Sequence, residues 1–274
     1  MKTKIKFIIL FIILFLIIVS FLLYISYSNK IRDIHYSNNP NTAYVINLND
    51  RPERWEHIQK KFKDSDISLE RIPAIKHKKG HIGCGLSFVK AVKFAKENNM
   101  ETILIFEDDN KPLPDFNKRW LVIKKWLDNN LDKWEIFNGG ARYPDWQEYE
   151  KKATSQHSKE TILKYSIENK EYLFQAPLVV STNWIYINKN AYDKVIKWES
   201  MIHNTPFTPI DQYITNIKYF NCVFSIPHLA LQEDGQSDTS LNSKNGYWEF
   251  DKVDKRLISI FNEVYYRELA KYNL

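Results

Sequence analysis

Cysteine is scarce in this chain: its 274 residues include only Cys84 and Cys222. With so few cysteines, the sequence shows no zinc-ligand spacing. The two residues could form a disulfide in an oxidising compartment or remain buried thiols, and the spacing does not decide between these. The chain also lacks any Asn-x-Ser/Thr sequence, so it offers no acceptor for N-linked glycosylation.

Concentrated positive charge is also absent. The formal net charge is +6, but part of it comes from Lys2, Lys4 and Lys6, and the other lysines are spread along the chain. The sequence contains neither an RNA-binding aromatic signature nor a basic helix. We therefore expect no nucleic-acid partner.

One long apolar run lies near the N-terminus. Residues 7–27 contain 21 residues without a charged side chain. At about 1.5 Å per residue, a helix of this length spans the roughly 30 Å hydrocarbon layer of a bilayer. The run is too long for a secretory signal, and no small-residue cleavage pattern follows it. We expect a cytoplasmic tail at residues 1–6, an uncleaved transmembrane signal anchor at residues 7–27, and a type II protein with a lumenal or extracytoplasmic body.

The rest of the chain alternates between strand and helix patterns. A polar stem, residues 28–41, precedes a single body, residues 42–274. This alternation predicts an α/β fold with a mainly parallel sheet, whose ligands bind at the carboxyl ends of the strands. Residues 139–170 show no clear period and are predicted to form a long loop. Strands are predicted at residues 43–48, 69–75, 102–106, 134–138 and 179–187, and helices at residues 53–62, 82–98, 189–198, 210–219 and 251–271.

Three consecutive acids, Glu107, Asp108 and Asp109, follow the predicted strand at residues 102–106. Residues two apart in an extended segment point to the same side, so Glu107 and Asp109 can face one ion or ligand together. Adjacent acids repel one another, and a cation would relieve that cost. Carboxylate oxygens are the ligands that Mg²⁺ and Mn²⁺ prefer. A solvated acidic turn is an equally good interpretation of these three residues alone.

Three blocks of sequence occur in an order and spacing that resemble glycosyltransferase family 25. They are VINLNDRPERW at residues 45–55, GHIGCGLS at residues 80–87 and IFEDD at residues 105–109. This family includes lipooligosaccharide and collagen galactosyltransferases. The resemblance covers roughly residues 42–240. It implies a GT-A type nucleotide-diphospho-sugar transferase fold, a UDP-sugar donor, Mn²⁺ or Mg²⁺, and transfer with inversion.

The resemblance also implies roles for individual residues. Asp109 would ligate the metal, Asp108 would assist it, and Glu107 would face the ribose or sugar of the donor. The other predicted donor-binding residues are Asn47, Leu48, Arg51, Arg54, Gly83 and Ser87. Arginine can hold phosphate in a bidentate manner, and backbone N–H groups at a helix start can bind an anion. The family commonly has histidine directly after the serine, whereas this chain has Phe88, which leaves the donor sugar open.

An inverting transfer needs a base for the acceptor hydroxyl. We predict Asp211 as this catalytic base, with Glu233 and Asp234 as rivals, although Asp211 could equally be a helix N-cap. His228 could complete the metal shell, but a lone histidine is more often structural.

These features predict a membrane-anchored, Mn²⁺-dependent enzyme that transfers galactose or glucose from UDP. The acceptor would be a hydroxyl of a glycan, a lipid-linked saccharide or a glycoprotein. A catalytically silent sugar-binding or scaffold protein that retains the fold is the alternative. A metal-dependent phosphoesterase is less favoured, because the chain has no His-rich two-metal spacing.

Overall fold

The structure is a computed structural model that describes residues 11–21, 34–144, 155–233, 235–236, 247–248 and 250–274. The chain divides into two compact units, residues 1–35 and 36–274. In the first unit, residues 11–21 are helical. Among the described residues, no helix combines the length and the apolar character that crossing a membrane requires. The rest of the predicted anchor, residues 7–10 and 22–27, lies outside them, so the anchor is unsupported here and stays a prediction.

The second unit contains a large sheet with helices. Its strands are β1 (Thr42–Asn47), β2 (Ser68–Pro73), β3 (Thr102–Glu107), β4 (Asn110–Pro112), β5 (Ile136–Asn138), β6 (Ile162–Ser166), β7 (Tyr172–Gln175), β8 (Trp184–Asn188), β9 (Cys222–Ser225), β10 (Ala230–Gln232), β11 (Gly235–Gln236) and β12 (Tyr247–Trp248). Its longer helices are α1 (Pro52–Phe62), α2 (Gly80–Glu97), α3 (Phe116–Asp128), α4 (Tyr192–Lys197), α5 (Ile210–Ile214) and α6 (Phe250–Lys271). The predicted α/β class is confirmed.

Eight strands form one mixed sheet in the order β2-β1-β3-β8-β5-β9-β7-β6. Strands β1, β2 and β3 are parallel, as are β5 and β9. Strand β8 runs antiparallel to both of its neighbours, β3 and β5, and β7 runs antiparallel to β9. Six of the eight strands thus run in one direction, with β7 and β8 opposed to them, so the sheet is mixed but mainly parallel in strand direction. Two short two-stranded sheets, β4 with β10 and β11 with β12, accompany the large one.

An aromatic core fixes the end of β3 that precedes the three acids. Phe106 packs on Trp184 with ring centroids 4.4 Å apart, and Trp120 meets Trp184 edge-on at 5.5 Å. All three side chains are fully buried. Each such ring removes about 150–250 Å² from water, so this cluster is a main source of stability. The acids thus extend from a rigid strand end.

Candidate active site

The first and third family-like blocks meet at one edge of the sheet. Strands β1 and β3 are adjacent and parallel, and Ile46 lies opposite Glu107 in their register. The residues that follow both strands therefore emerge side by side, as expected for carboxyl ends of parallel strands. This places Asn47 next to the acid cluster of Glu107, Asp108 and Asp109.

Asp108 links these two blocks. Its Oδ1 accepts a hydrogen bond from Arg54 Nη1 at 2.9 Å, and its Oδ2 accepts one from Asn47 Nδ2 at 2.7 Å. The pair is mostly buried, with the Asp108 and Arg54 side chains 12% and 19% exposed. Asn47 Nδ2 also donates to the carbonyl of Arg51 at 3.0 Å. Asp108 thus uses both oxygens to hold Arg54 and Asn47 in place, and its predicted metal-assisting role stays a prediction.

Leu48 and Arg51 shape the same turn. The carbonyl of Leu48 accepts hydrogen bonds from Arg51 N at 2.9 Å and from Arg71 Nη2 at 3.0 Å. The guanidinium of Arg51 pairs with Glu53 at 2.6 Å. These contacts set the path of the backbone between β1 and α1, and so they position Arg54 on the first turn of α1.

Glu107 and Asp109 face the same side, as their spacing predicts. Gln232 Nε2 donates to Glu107 Oε2 at 3.2 Å and to Asp109 Oδ2 at 3.4 Å. Glu107 Oε1 accepts a hydrogen bond from the hydroxyl of Thr182, and the thiol of Cys84 lies 4.0 Å from the same oxygen. Asp109 Oδ1 is buried and has no hydrogen-bond partner among the described residues. The two carboxylates therefore form a shared, incompletely satisfied site.

Electrostatics make this pair receptive to a cation. Burial raises the pKa of Glu107 to about 8, and the charge of Asp109 adds to that effect. Burial, followed by the charge of Asp108, raises the pKa of Asp109 to about 6. Both shifts report that negative charge is costly here, and a divalent cation offsets that cost.

The donor set fits a hard cation that is shared with a substrate. In the described part of the chain, no three His, Cys, Asp or Glu side chains come together as a group able to hold a metal ion. Mg²⁺ commonly uses only one or two carboxylates and takes its other ligands from water and substrate phosphates. The pair of carboxylates, with the unpartnered Oδ1 of Asp109, matches that pattern.

Asp211 lies within electrostatic range of Glu107. Its Oδ2 accepts a hydrogen bond from Ser181 N at 3.4 Å, and its charge contributes to the raised pKa of both Cys84 and Glu107. Burial raises the pKa of Asp211 itself, which makes it a stronger base once it is ionised. The N-cap interpretation is wrong, because Pro209 occupies the N-cap of α5. Its charge thus reaches Glu107, and its role as the catalytic base stays a prediction.

Glu233 contacts two side chains of helix α1. Its Oε2 accepts from Lys61 Nζ at 2.8 Å and from His57 Nε2 at 2.9 Å. Because both contacts engage the same carboxylate oxygen, Glu233 is less available than Asp211 to accept a proton from an acceptor hydroxyl. Its rival Asp234 lies outside the described residues.

Lys61 was not predicted as a site residue. Its amine also donates to the carbonyl of Asn110 at 2.8 Å, and it lies within the field of Asp108 and Asp109. The sequence contained a pattern that could have indicated Lys61. It follows Arg54 by seven residues, and residues seven apart lie on the same face of a helix such as α1.

His228 has a buried packing environment. Among the described residues, Nδ1 is bonded to the carbonyl of Ser225 at 3.0 Å and the ring meets Phe261 edge-on at 4.4 Å. Burial lowers the pKa of His228 to about 4. These contacts do not join the ring to Glu107 or Asp109, so its predicted part in the metal shell gains no support.

Gly83 and Ser87 have packing roles in α2. A Cβ atom at Gly83 would lie 2.6 Å from the carbonyl oxygen of Ile75, and Gly83 N is bonded to the carbonyl of Lys79 at 3.2 Å. Ser87 is fully buried; its hydroxyl donates to the Gly83 carbonyl at 2.7 Å and accepts from Ile75 N at 2.8 Å. The polar atoms of both residues hold the loop between β2 and α2, and their predicted donor contacts stay a prediction.

Comparison with known proteins gives remote likenesses. A Haemophilus influenzae protein named "Putative glycosyltransferase" is 34% identical over 88 residues, which covers 24% of this chain and 31% of that protein. The chain thus spans about a third of the length of this relative. No family model matches the chain, so membership of family 25 stays a prediction.

Two solved structures show how distant the structural likenesses are. A glycosyltransferase involved in glycosylation of the major capsid of PBCV-1 matches with a TM-score of 0.44 and 10% identity, over 72% of this chain and 94% of that one. A UDP-glucose pyrophosphorylase matches with a TM-score of 0.35 and 7% identity, over 84% and 82% of the two chains. The sequence relative is a putative glycosyltransferase by name, in agreement with the predicted class. At these scores the likenesses do not extend to substrate or mechanism.

Proposed function

We propose that this protein is a glycosyltransferase of the family 25 type, with a GT-A fold, that transfers a hexose from a UDP-sugar with inversion. The observation that carries the proposal is the pair of carboxylates, Glu107 and Asp109, bridged by Gln232 at the end of β3, where Oδ1 of Asp109 is buried and has no hydrogen-bond partner among the described residues. Mn²⁺ or Mg²⁺ held by Glu107 and Asp109 would neutralise the charge that develops on the leaving diphosphate.

Other side chains of the protein would carry out the remaining steps of the transfer. Asp211 takes the proton from the acceptor hydroxyl as that oxygen attacks the anomeric carbon, and the bond from that carbon to the diphosphate oxygen breaks. Arg54 and Lys61 place positive charge beside the acid cluster, where it favours binding of the donor's phosphates. A single displacement of this kind inverts the anomeric centre.

The proposed acceptor is a hydroxyl of a glycan, a lipid-linked saccharide or a glycoprotein. We also propose that residues 7–27 anchor the protein in a membrane with its body on the lumenal or extracytoplasmic side, on the strength of their 21 uncharged residues. Removal of these residues should move the protein from the membrane fraction to the soluble fraction. Unchanged membrane association after their removal would contradict the anchor.

A panel of UDP-sugars tests the activity. We expect the full-length protein, purified in detergent, to release UDP from at least one of them when Mn²⁺ is present, and to stop when a chelator is added. Asp109→Asn should abolish the release, because it removes a charge from the metal-holding pair. Asp193→Asn is the matched control, since Asp193 is 80% exposed and pairs with Lys96 on the surface. Absence of release with every donor would contradict the proposal.

A further inference from the structure

Gln232 reaches the acid cluster through backbone pairing. It ends β10, which pairs antiparallel with β4, and it lies opposite Asn110 in that register. The turn before β10 is held by Arg119, whose guanidinium donates to the carbonyls of Pro227 and His228 at 2.9 Å each. The pairing of β10 with β4 therefore fixes the position of Gln232 beside the acid cluster.

The amide of Gln232 bridges the two carboxylates. Its Nε2 lies 3.2 Å from Glu107 Oε2 and 3.4 Å from Asp109 Oδ2. In an octahedral shell with metal–oxygen bonds of about 2.0–2.1 Å, neighbouring ligand oxygens lie about 2.9 Å apart. The distances from the Gln232 amide to the two carboxylate oxygens, 3.2 and 3.4 Å, are thus only a few tenths of an ångström longer than the spacing of neighbouring ligands around one shared cation.

A cation between Glu107 and Asp109 would repel the N–H₂ group that now bridges them. A half-turn of the side-chain amide exchanges nitrogen and oxygen without moving the rest of the residue, because the two ends have nearly the same size. The turned amide would offer a carbonyl oxygen, which is a ligand that Mg²⁺ and Mn²⁺ accept.

We propose that Gln232 turns its amide and supplies Oε1 as a third protein ligand to the divalent cation held by Glu107 and Asp109. This inference rests on the proposed function and deepens it. It also accounts for the lack of a third His, Cys, Asp or Glu around the pair in the described part of the chain. In the absence of the cation, the same amide acts as the donor that keeps the two carboxylates together.

Mn²⁺ binding by the full-length protein, followed by electron paramagnetic resonance without any nucleotide, tests the inference. Gln232→Leu should weaken Mn²⁺ binding about ten- to hundredfold, because it removes the oxygen. Gln232→Glu should keep binding within about tenfold of the wild type or strengthen it, because a carboxylate oxygen replaces the amide oxygen. Gln175→Leu is the matched control: this amide lies on β7 and bonds Asn221, and its loss should leave Mn²⁺ binding unchanged.

The outcomes separate the inference from the function on which it rests. If Gln232 only donates hydrogen bonds, Gln232→Leu will leave Mn²⁺ binding unchanged or strengthen it, which overturns the inference alone. If the wild type binds no Mn²⁺ either alone or with UDP added, the proposed function fails as well; binding only with UDP contradicts a third protein ligand that holds the cation by itself. Thermal unfolding without metal checks the fold of each variant. Should Gln232→Leu not fold, Gln232→Asn, whose amide is one methylene shorter, must show the same weakening.

Discussion

Replacing Glu107 by glutamine removes one negative charge from the buried acid cluster and keeps the size of the side chain. The bridging amide of Gln232 can turn to preserve its hydrogen bond with the new residue. In the wild type, burial and then the charge of Asp109 raise the pKa of Glu107 from an ordinary 4.5 to about 8. Comparison of this variant with the wild type therefore measures the free-energy cost of ionising Glu107 in the folded protein.

The sign of the effect follows from proton linkage. Between about pH 4.5 and pH 8, folded Glu107 keeps a proton that the unfolded chain has released, so the metal-free wild type loses stability as the pH rises through this window. The shift sets an upper limit of about 5 kcal/mol, since each pKa unit corresponds to about 1.4 kcal/mol. Because proton release is shared with Asp109, we expect about 1–3 kcal/mol.

Thermal unfolding of the metal-free protein at about pH 5 and about pH 9 measures this effect. Glu107→Gln should match the wild type at the lower pH and be more stable at the higher pH. Glu101→Gln is the control, because Glu101 is 60% exposed and forms a surface pair with Lys189. A difference between Glu107→Gln and the wild type that is equal at both pH values would refute the reasoning.

Two further predictions concern stability. Arg119→Met should lower the free energy of unfolding by about 3–5 kcal/mol, because it leaves Glu171, a bidentate partner at 2.8 Å with 11% exposure, without its charge partner. Urea unfolding would show this, and a loss below about 1 kcal/mol, the range of exposed pairs, would contradict it. Gly85→Ala should cost about 1–3 kcal/mol by the same assay, because its Cβ would lie 2.1 Å from the Trp198 ring. Unchanged stability would show that the ring moves freely.

Local patterns predicted the first half of the body well. Strand β1, helices α1 and α2, and strand β3 lie within two residues of their predicted bounds, because each has a strong apolar period and clear end signals. The α/β class and the meeting of Asn47 with the acids followed from these elements. The resemblance to a family, not a local pattern, drew attention to Asp211, which lies within electrostatic range of Glu107.

The second half depends on long-range contacts that local patterns do not record. Strand β6 lies within the region predicted as a loop, and β7 directly follows that region. Among the described residues β6 pairs with β7 alone, at the edge of the sheet, so its own residues carry only a weak strand pattern. Helix α3 was not predicted. The antiparallel direction of β8 is set by its pairing with β3 and β5, not by its own residues. Similarly, the bridge from Gln232 to Glu107 joins residues 125 positions apart.

Calorimetric titration of UDP into the full-length protein, with and without Mn²⁺, tests the central claim most directly. The account predicts that UDP binds in the presence of Mn²⁺, that a chelator abolishes the binding, and that Asp109→Asn weakens it by at least about tenfold. UDP binding that is equally strong without Mn²⁺ and in Asp109→Asn, or no binding to the wild type under either condition, would contradict it.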